Sequence, residues 1–397
     1  MKLLFLSWWL PYPPDNGIRQ RNYHLLRELA RAHEVTLLSF AEDGEATPER
    51  TAPLEAICAR VQVLPKPQYN PGGARALAGF FHPWPRWLVD VYTDAMQQLV
   101  HETLQGAHYD LVLAAEFSTT PYALSLRGVR RVFEGVEIAF YRDQADAQTS
   151  TARRLRYKLT WLKLVRYLRR VRRAFDGCTA VSDLEAAIIE QVTDGGGPLA
   201  VIENGVDTAA HAGDYGAPEA DTLIYPGALS YFANYDAASW FAGEILPRIA
   251  AARAEVRFRI TGSTRNVDLS RFPASAHVHF TGYLDDIKPT LARSWACVVP
   301  VRHGSGTRLK ILEAMAAGVP VVSTTKGAEG LEVTPGRDLL IADEPAAFAD
   351  AVLRVLGDTD LRRSLAEAGR RLVTRRYDWS IIGDRLLAFV DEVCAVG

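Results

Sequence analysis

This sequence of 397 residues has few cysteines, no excess of either charge and no long apolar run. The four cysteines are far apart and form no Cys-x-x-Cys pair, which argues against a disulfide framework or a zinc cluster and favours a reducing cytosol. The 45 Lys and Arg residues nearly balance the 47 Asp and Glu residues, giving a net charge of −2. This balance excludes a general attraction to nucleic acid.

The N-terminal apolar run, MKLLFLSWWL, is broken by prolines well before the roughly 20 residues that a bilayer span needs. No small-residue cleavage site follows, so we interpret the run as a buried first strand rather than a signal peptide. The sequence also lacks HExxH and EF-hand motifs, and its one Asp-x-Asp, at Asp358 and Asp360, is interpreted as a helix cap. These absences predict a cytoplasmic protein without a metal site.

Short apolar runs alternate with segments of helical periodicity along the whole chain, which is the pattern of βα units around parallel sheets. A first series of predicted strands covers 3–7, 35–40, 61–64, 111–114, 131–133, 178–181 and 200–202. A second series covers 222–225, 256–261, 277–281, 297–300, 319–323 and 339–342. The two series predict two Rossmann-like α/β domains that join near residues 195–207.

The motif HGSGTRLKILEAMAAG carries the strongest chemical signal. Its small residues Gly304, Gly306 and Thr307 precede a helix predicted to begin near Arg308, and free N–H groups at a helix N-terminus suit a phosphate. Arg308 and Lys310 in the first helical turn indicate a diphosphate. Glu313 is placed to hold a ribose through its hydroxyls. The spacing fits equally an ordinary surface helix in which Lys310 and Glu313 form an (i, i+3) pair.

The residues around this motif resemble the signature of family 4 glycosyltransferases of the GT-B fold. The similar run begins at Val299, VPVRHGSGTRLKILEAMAAGVPVVSTTKGAEGL, and further matches are ENGVD at 203–207, YPGALSYFANYDAASWF at 225–241, FTGYLDD at 280–286 and PPDNG near the N-terminus. Ser305 stands where the family usually has the first Glu of Glu-x7-Glu, as in the branch with GxGTRxKxLEAMA. The resemblance covers nearly the whole chain.

The resemblance implies an α/β GT-B fold, with two Rossmann-like domains whose parallel sheets face a central cleft. Residues 1–198 would form the N-terminal acceptor domain and residues 199–376 the nucleotide-sugar donor domain. Residues 377–397 would form a C-terminal helix that crosses back onto the first domain. We expect Trp379 to anchor that helix.

The resemblance also implies which residues bind the donor. Glu313 would hold the ribose, Arg308 and Lys310 would contact the diphosphate and act in catalysis, and the full set is Gly17, Gly227, Tyr283, Gly306, Thr307, Arg308, Leu309, Lys310 and Glu313. Relatives often follow the glycine at 227 with an arginine, whereas Ala228, Leu229 and Ser230 follow it here. Without the resemblance, Gly17 and Gly227 are turn residues and Tyr283 a half-buried loop aromatic.

Three carboxylates and one arginine are candidates for the acceptor side. Many family members have a histidine beside the acceptor, but here Glu116 follows the fourth predicted strand, and Glu134 and Glu137 follow the next. Any of the three can orient or deprotonate a hydroxyl, and Glu116 is the catalytic candidate. Arg19 can reach an anion. The alternative is that these side chains cap helices or form ion pairs.

The implied activity is the retaining transfer of a sugar from a UDP-, GDP- or dTDP-sugar to a hydroxyl on a glycan, a lipid-linked sugar or a small natural product. Cations and backbone amides would stabilise the leaving diphosphate without a metal, and no covalent nucleophile or cofactor is expected. Two alternatives are a GT-B nucleotide-sugar epimerase and a non-catalytic GT-B scaffold. The presence of Gly227, Arg308, Lys310 and Glu313 argues against the scaffold.

A basic segment from Arg153 to Arg173 holds ten Lys or Arg residues and no acid. Leu155, Leu159, Leu162, Val165 and Leu168 recur in it at helical spacing. One interpretation is a helix that packs its apolar stripe inward and exposes a solvated basic face. The other is peripheral contact with the inner face of an anionic membrane, to which the aromatic segment FFHPWPRW would contribute.

Overall fold

The computed structural model describes residues 1–146, 150–265, 267–304 and 308–395. The chain divides into two compact units, which are described separately. Unit 1 comprises Met1–Asn204 together with Ile382–Gly397, and unit 2 comprises Gly205–Ile381.

Unit 1 is built on a sheet of seven parallel strands in the order β3-β2-β1-β4-β5-β6-β7. The strands are β1 (Lys2–Ser7), β2 (Glu34–Ala41), β3 (Arg60–Pro65), β4 (Leu111–Ala115), β5 (Arg130–Val136), β6 (Gly177–Ala180) and β7 (Leu199–Val201). The central strands are buried along almost their whole length, because helices cover both faces of the sheet. This double burial explains why they occur in the sequence as continuous apolar runs.

The helices of unit 1 connect and cover these strands. They are α1 (Gly17–Ala30), α2 (Pro48–Glu55), α3 (Ala74–Ala78), α4 (Arg86–Val91), α5 (Asp94–Gly106), α6 (Thr120–Leu124), α7 (Ala139–Asp146), α8 (Thr151–Ala174) and α9 (Asp183–Val192). Helix α1 begins at Gly17 because the side chain of Asn16 caps it, accepting a hydrogen bond from the Arg19 amide at 3.1 Å. Leu25, Leu26 and Leu29 then face the core.

Unit 2 has a second sheet, of six parallel strands in the order β10-β9-β8-β11-β12-β13. The strands are β8 (Glu219–Pro226), β9 (Arg257–Thr261), β10 (Val278–Gly282), β11 (Ser294–Val299), β12 (Val321–Ser323) and β13 (Leu340–Ile341). The helices are α10 (Phe232–Trp240), α11 (Leu246–Ala252), α12 (Lys288–Ala292), α13 (Leu309–Ala316), α14 (Pro345–Gly357) and α15 (Thr359–Arg376). Asp358 caps α15 by accepting from the amides of Asp360 and Leu361, which confirms that Asp-x-Asp is a helix cap.

The last helix, α16 (Trp379–Ala395), contributes to unit 1 from Ile382 onward. Its inward side chains Ile382, Leu386 and Val390 are fully buried. Gly177 lets the helix approach closely, since a Cβ there would lie 2.8 Å from Val393 and 2.9 Å from Phe389. The helix is therefore part of the unit 1 core.

Both sheets share one topology, which confirms the expected doubly wound α/β architecture. The strand order reverses between β1 and β4 in unit 1 and between β8 and β11 in unit 2. The carboxyl ends of the strands on either side of such a reversal leave a crevice where ligands bind in open α/β sheets. In the part of the chain that the structure describes, no helix combines the length and the apolar character needed to cross a membrane.

Candidate active site

In unit 2 the strand order reverses between β8 and β11, and the loops that follow these two strands lie at that point. Gly227 directly follows β8, and a Cβ there would lie 2.8 Å from the Asn234 amide nitrogen. Gly304, in the loop after β11, has a φ of +97°, and a Cβ there would lie 3.3 Å from the Tyr231 hydroxyl. At both positions a Cβ would crowd a neighbouring side chain, so both favour glycine.

Lys310 lies in the first turn of α13, and its ammonium group points inward. The ammonium donates to the Tyr225 hydroxyl and to the Asn234 side-chain oxygen, each at 2.9 Å. Burial, and to a lesser degree the neighbouring positive charge of Arg308, together lower the pKa of Lys310 to about 7. Lys310 is therefore not a solvated helix-surface cation.

Arg308 is the residue immediately before α13, not a member of its first turn as the sequence predicted. Only 8% of it is exposed, and its guanidinium donates to the Gly304 carbonyl at 2.8 Å and to the Lys326 carbonyl at 3.4 Å. Two desolvated cations thus lie together at the carboxyl end of the sheet. Such an arrangement suits a ligand with concentrated negative charge, because an anion offsets both their desolvation and their mutual repulsion.

The remaining donor-side residues occupy different environments. Glu313 is half-buried one turn after Lys310, and Leu309 is half-buried against the unit 2 core. Tyr283, just after β10, is 61% exposed, so its side chain is not the half-buried loop aromatic that was the alternative expectation. Gly306 and Thr307 lie outside the described residues.

Several unit 2 residues in this region were not singled out from the sequence. Asn234 links the other groups, because its side-chain oxygen accepts from Tyr225 and Lys310 and its nitrogen donates to the Ala228 carbonyl at 3.0 Å. Asp236 holds Arg302 through two hydrogen bonds of 2.7 and 3.1 Å. Asn234 and Asp236 lie in the YFANYD motif, seven and nine residues after Gly227. Their closeness in sequence to this glycine was the signal that could have identified them as site residues.

In unit 1 the corresponding reversal places Glu116 directly after β4. Its φ of +67° is uncommon for a residue with a side chain and is typical of positions held in place for function. Asn22 of α1 donates to Glu116 Oε1 at 2.5 Å and to the Ser7 hydroxyl of β1 at 3.0 Å. Oε2 is buried and has no partner at hydrogen-bond distance within the described ranges.

The environment of Glu116 favours its neutral form. Burial raises its pKa to about 8, opposed in part by the hydrogen bond from Asn22. The negative charge of Glu134 acts in the same direction as burial, and Lys66 acts against it. A carboxyl group that titrates near neutral pH at a strand end is suited to exchange a proton or to orient a hydroxyl.

A pocket of about 420 Å³ opens beside the Glu116 loop at the carboxyl ends of β1 to β4. Its lining includes three aromatic rings and two charged side chains, Trp8, Tyr69, Trp87, Glu42 and Lys66, together with Ser118. The Lys66 ammonium lies 2.7 Å from the centre of the Trp9 ring. This mixture of aromatic faces and a few polar groups is typical of pockets for small organic ligands.

Two of the acceptor-side candidates are held in internal ion pairs. The Arg21 guanidinium and the Glu134 carboxylate form a buried pair, and Thr179 also donates to Glu134 at 3.2 Å. Arg19 donates to Glu45 at 2.6 and 2.7 Å and to Asp15 at 3.3 Å. Arg19 and Glu134 therefore form ion pairs, which was the alternative to a role on the acceptor side.

The other two unit 1 candidates are open to solvent. Glu137 is exposed, and Gly17 is the exposed first residue of α1. The geometry therefore singles out Glu116 among the three carboxylates. Among the residues that the structure describes, no group of three or more His, Cys, Asp or Glu side chains has the arrangement of a metal site.

Two family models match the chain. The model described as Glycosyltransferase Family 4 matches residues 15–210, and the model described as Glycosyl transferases group 1 matches residues 220–358. These ranges contain Glu116 and the Arg308–Glu313 segment respectively.

One similar sequence is the GDP-mannose-dependent monoacylated alpha-(1-6)-phosphatidylinositol monomannoside mannosyltransferase of Corynebacterium glutamicum. It is 32% identical over 153 residues, which are 36% of this chain and 40% of that protein. The next relatives, phosphatidyl-myo-inositol mannosyltransferases of Mycobacterium leprae and Mycobacterium tuberculosis, are matched over 33% and 43% of their lengths. The chain thus matches less than half of each of these relatives.

Solved structures share the fold over the full length. Sucrose-phosphate synthase from Thermosynechococcus elongatus superposes with a TM-score of 0.68, at 16% identity and with 100% of both chains covered. The Anabaena protein HepE in complex with UDP and glucose superposes with a TM-score of 0.65, at 17% identity and with 98% and 99% of the chains covered. At these identities the likeness shows the fold.

Proposed function

The chain belongs to the family 4 glycosyltransferases of the GT-B fold, and on that premise we propose that it transfers a sugar from a nucleoside diphosphate sugar to a hydroxyl acceptor. One observation carries the proposal: Arg308 and Lys310 lie desolvated side by side where the unit 2 strand order reverses. A nucleoside diphosphate supplies the two adjacent negative charges that such a pair binds best.

In this proposal the donor lies at the carboxyl end of the unit 2 sheet. Arg308 and Lys310 bind the diphosphate, and the backbone at Gly227, which carries no side chain, lets it approach. The Glu313 carboxylate accepts hydrogen bonds from the ribose hydroxyls. The named relative uses GDP-mannose and the Anabaena structure holds UDP, so both nucleotides are the first to test.

The proposed reaction breaks the bond between the sugar C1 and the diphosphate oxygen and forms a bond from C1 to the acceptor oxygen on the same face, with retention. The acceptor proton passes to the departing diphosphate oxygen. Negative charge grows on that oxygen as the bond breaks, and Arg308 and Lys310 stabilise it without a metal. No covalent nucleophile on the protein is required.

Unit 1 supplies the acceptor side in this proposal. The Glu116 carboxylate accepts a hydrogen bond from the acceptor hydroxyl and orients it for attack. The 420 Å³ aromatic pocket next to it would hold the adjoining part of the acceptor. Its rings and polar groups suit a sugar ring or a small natural product.

The test begins with nucleotide binding and then measures transfer. UDP, GDP or dTDP at about 100 times its Kd should stabilise the protein by about 2.7 kcal/mol, which is a thermal shift of a few degrees. Glu313→Ala should abolish most of that shift, whereas Glu344→Ala, at an exposed unit 2 position, should leave it unchanged. If no nucleotide stabilises the wild-type protein, the transferase proposal fails and the scaffold alternative gains.

Activity then distinguishes the remaining alternatives. The assay uses sugar donors that carry the stabilising nucleotide, together with a library of acceptors. Transfer should persist in EDTA. NMR of the product should show the same anomeric configuration as the donor. Inversion would contradict the proposed stereochemistry. Release of an epimerised nucleotide sugar without any acceptor would identify the epimerase instead. Complete loss in EDTA, restored by magnesium or manganese, would overturn the metal-independent mechanism.

A further inference from the structure

Helix α8 exposes the apolar residues that the sequence suggested it would bury. Leu155 and Leu162 are 69% and 64% exposed, and Leu159, between them on the same helix face, is also exposed. The face that packs against unit 1 is formed instead by Leu164, Tyr167, Leu168 and Val171. The inward-packed stripe expected from spacing alone is therefore wrong for its N-terminal half.

A neighbouring segment, residues 77–81, adds to this exposed apolar surface. Phe81 is 95% exposed, and Leu77 and Phe80 are exposed as well. Lys163 joins the segment to the helix, because its ammonium donates to the carbonyls of Gly79 and Phe80 at 2.9 and 2.7 Å. Since Lys163 lies one turn after Leu159, the segment lies beside the leucine stripe.

The C-terminal half of the same helix face is strongly basic. Arg166, Arg169, Arg170 and Arg173 continue the leucine stripe at helical spacing, and with Trp84 they line a pocket of about 530 Å³. Asp194 lies 3.7 Å from Arg169 and 3.5 Å from Arg173. Within the described ranges, no hydrogen-bond or ion-pair partner is found for Arg166 or Arg170.

We propose that this face of α8, together with residues 77–81, docks on a bilayer that contains anionic phospholipids. We call it the α8 docking face: Leu155, Leu159, Leu162, Arg166, Arg169, Arg170 and Arg173 with Leu77, Phe80 and Phe81. Phe81 and the leucines enter the interfacial region, and the arginines bind lipid phosphates there.

Charge and apolar exposure together select this occupant. In a dimer through this face, two copies of α8 would come into contact. Each copy carries ten basic residues and no acid, so the two helices would repel each other. Nucleic acid would meet the arginines but would leave Phe81 and the three leucines unburied. An anionic bilayer satisfies both features, because its phosphates lie above an apolar layer.

Sedimentation of the full chain with vesicles tests the proposal. We expect binding to phosphatidylcholine vesicles with about one third phosphatidylglycerol, little binding to pure phosphatidylcholine, and weakening as salt rises. Phe81→Ser and Leu162→Ser should each lower the partition coefficient about tenfold, since each removes a large apolar side chain from the interface. Arg166→Glu with Arg170→Glu should lower it by at least about tenfold.

Matched controls separate the docking face from general effects. Leu184→Ser changes an exposed leucine of α9, and Arg370→Glu with Arg375→Glu reverses two exposed arginines of α15. Both controls should bind vesicles like the wild type. All substituted side chains are exposed, so thermal unfolding should remain unchanged.

Two results would overturn the proposal. One is the absence of binding to anionic vesicles at about 0.1 M salt. The other is binding that the arginine reversals abolish but the Phe81 and Leu162 variants leave intact, with single-stranded RNA competing for it, which would indicate a nucleic acid face.

Discussion

The ammonium group of Lys310 lies 2.9 Å from the phenol oxygen of Tyr225. Lys310 belongs to the helix that follows β11, and Tyr225 is the penultimate residue of the neighbouring strand β8. The two strands flank the reversal in strand order. This contact and the one with Asn234 hold the ammonium group away from solvent, where it feels the positive charge of Arg308. As a result, the Lys310 amine binds its proton weakly in the unliganded protein, and a bound anion would strengthen that binding.

We expect Lys310→Met to weaken nucleoside diphosphate binding about 10- to 150-fold, because a hydrogen bond to a charged group contributes about 1.5–3 kcal/mol. The unliganded variant should unfold at the same temperature as the wild type or higher, since a costly buried charge is removed. Titration calorimetry and thermal unfolding measure the two effects. Arg375→Met, at an exposed position of α15, serves as the control; equal affinities in Lys310→Met and wild type would remove Lys310 from the diphosphate site.

Donor binding should also depend on pH through Lys310. The pKa of Lys310 in the unliganded protein is lowered to about 7, so the group is protonated below pH 7 and loses its charge above it. A bound diphosphate favours the charged form, so affinity should fall as pH rises above about 7, by up to tenfold per unit. Calorimetry at pH 8 in buffers of different ionisation enthalpy should show proton uptake on binding. Uptake of the same size in Lys310→Met would assign the proton to another group.

Glu116→Gln should reduce transfer at least about a hundredfold and leave donor affinity unchanged, because the proposed role of Glu116 is to orient the acceptor. The pKa of Glu116 is raised to about 8, so in the wild type the carboxylate forms only as pH rises towards 8. At saturating donor, log kcat/KM for the acceptor should therefore rise with pH and level off above about 8. The variant should lack this slope.

Glu137→Gln, at an exposed position of the same unit, is the matched control and should keep both the rate and the slope. Stability gives an independent check on Glu116. The folded state retains a proton that the unfolded state releases between about pH 4.5 and 8, so this residue makes the protein less stable as pH rises through that range. Glu116→Gln should remove that part of the decline.

The C-terminal helix offers a prediction about unit 1. Leu386 is fully buried, so Leu386→Ala should lower the free energy of unfolding by about 2–5 kcal/mol. Glu392→Ala, at an exposed position of the same helix, should change it by less than about 0.5 kcal/mol. Chemical denaturation measures both values. If Leu386→Ala left the free energy of unfolding unchanged, α16 would not be part of the core.

The sequence by itself determined the two parallel sheets. The thirteen strands in the described part of the chain were all predicted within a few residues, because strands buried on both faces consist of apolar runs that can be recognised locally. It also indicated the loop before α13, since Gly304, Arg308, Lys310 and Glu313 lie within ten residues of one another. Family resemblance and local spacing agreed there.

Only the tertiary structure decided how the charged side chains are used. Arg21 pairs with Glu134 across 113 positions and Lys310 reaches Asn234 across 76, and no local pattern reports such contacts. The leucines of α8 likewise have the spacing of a buried stripe, yet packing assigned burial to another face of the helix. Burial and pairing depend on which distant segments the fold brings together. That is why the strands could be derived from periodicity, whereas the surroundings of Glu116, Glu134 and α8 required the folded chain.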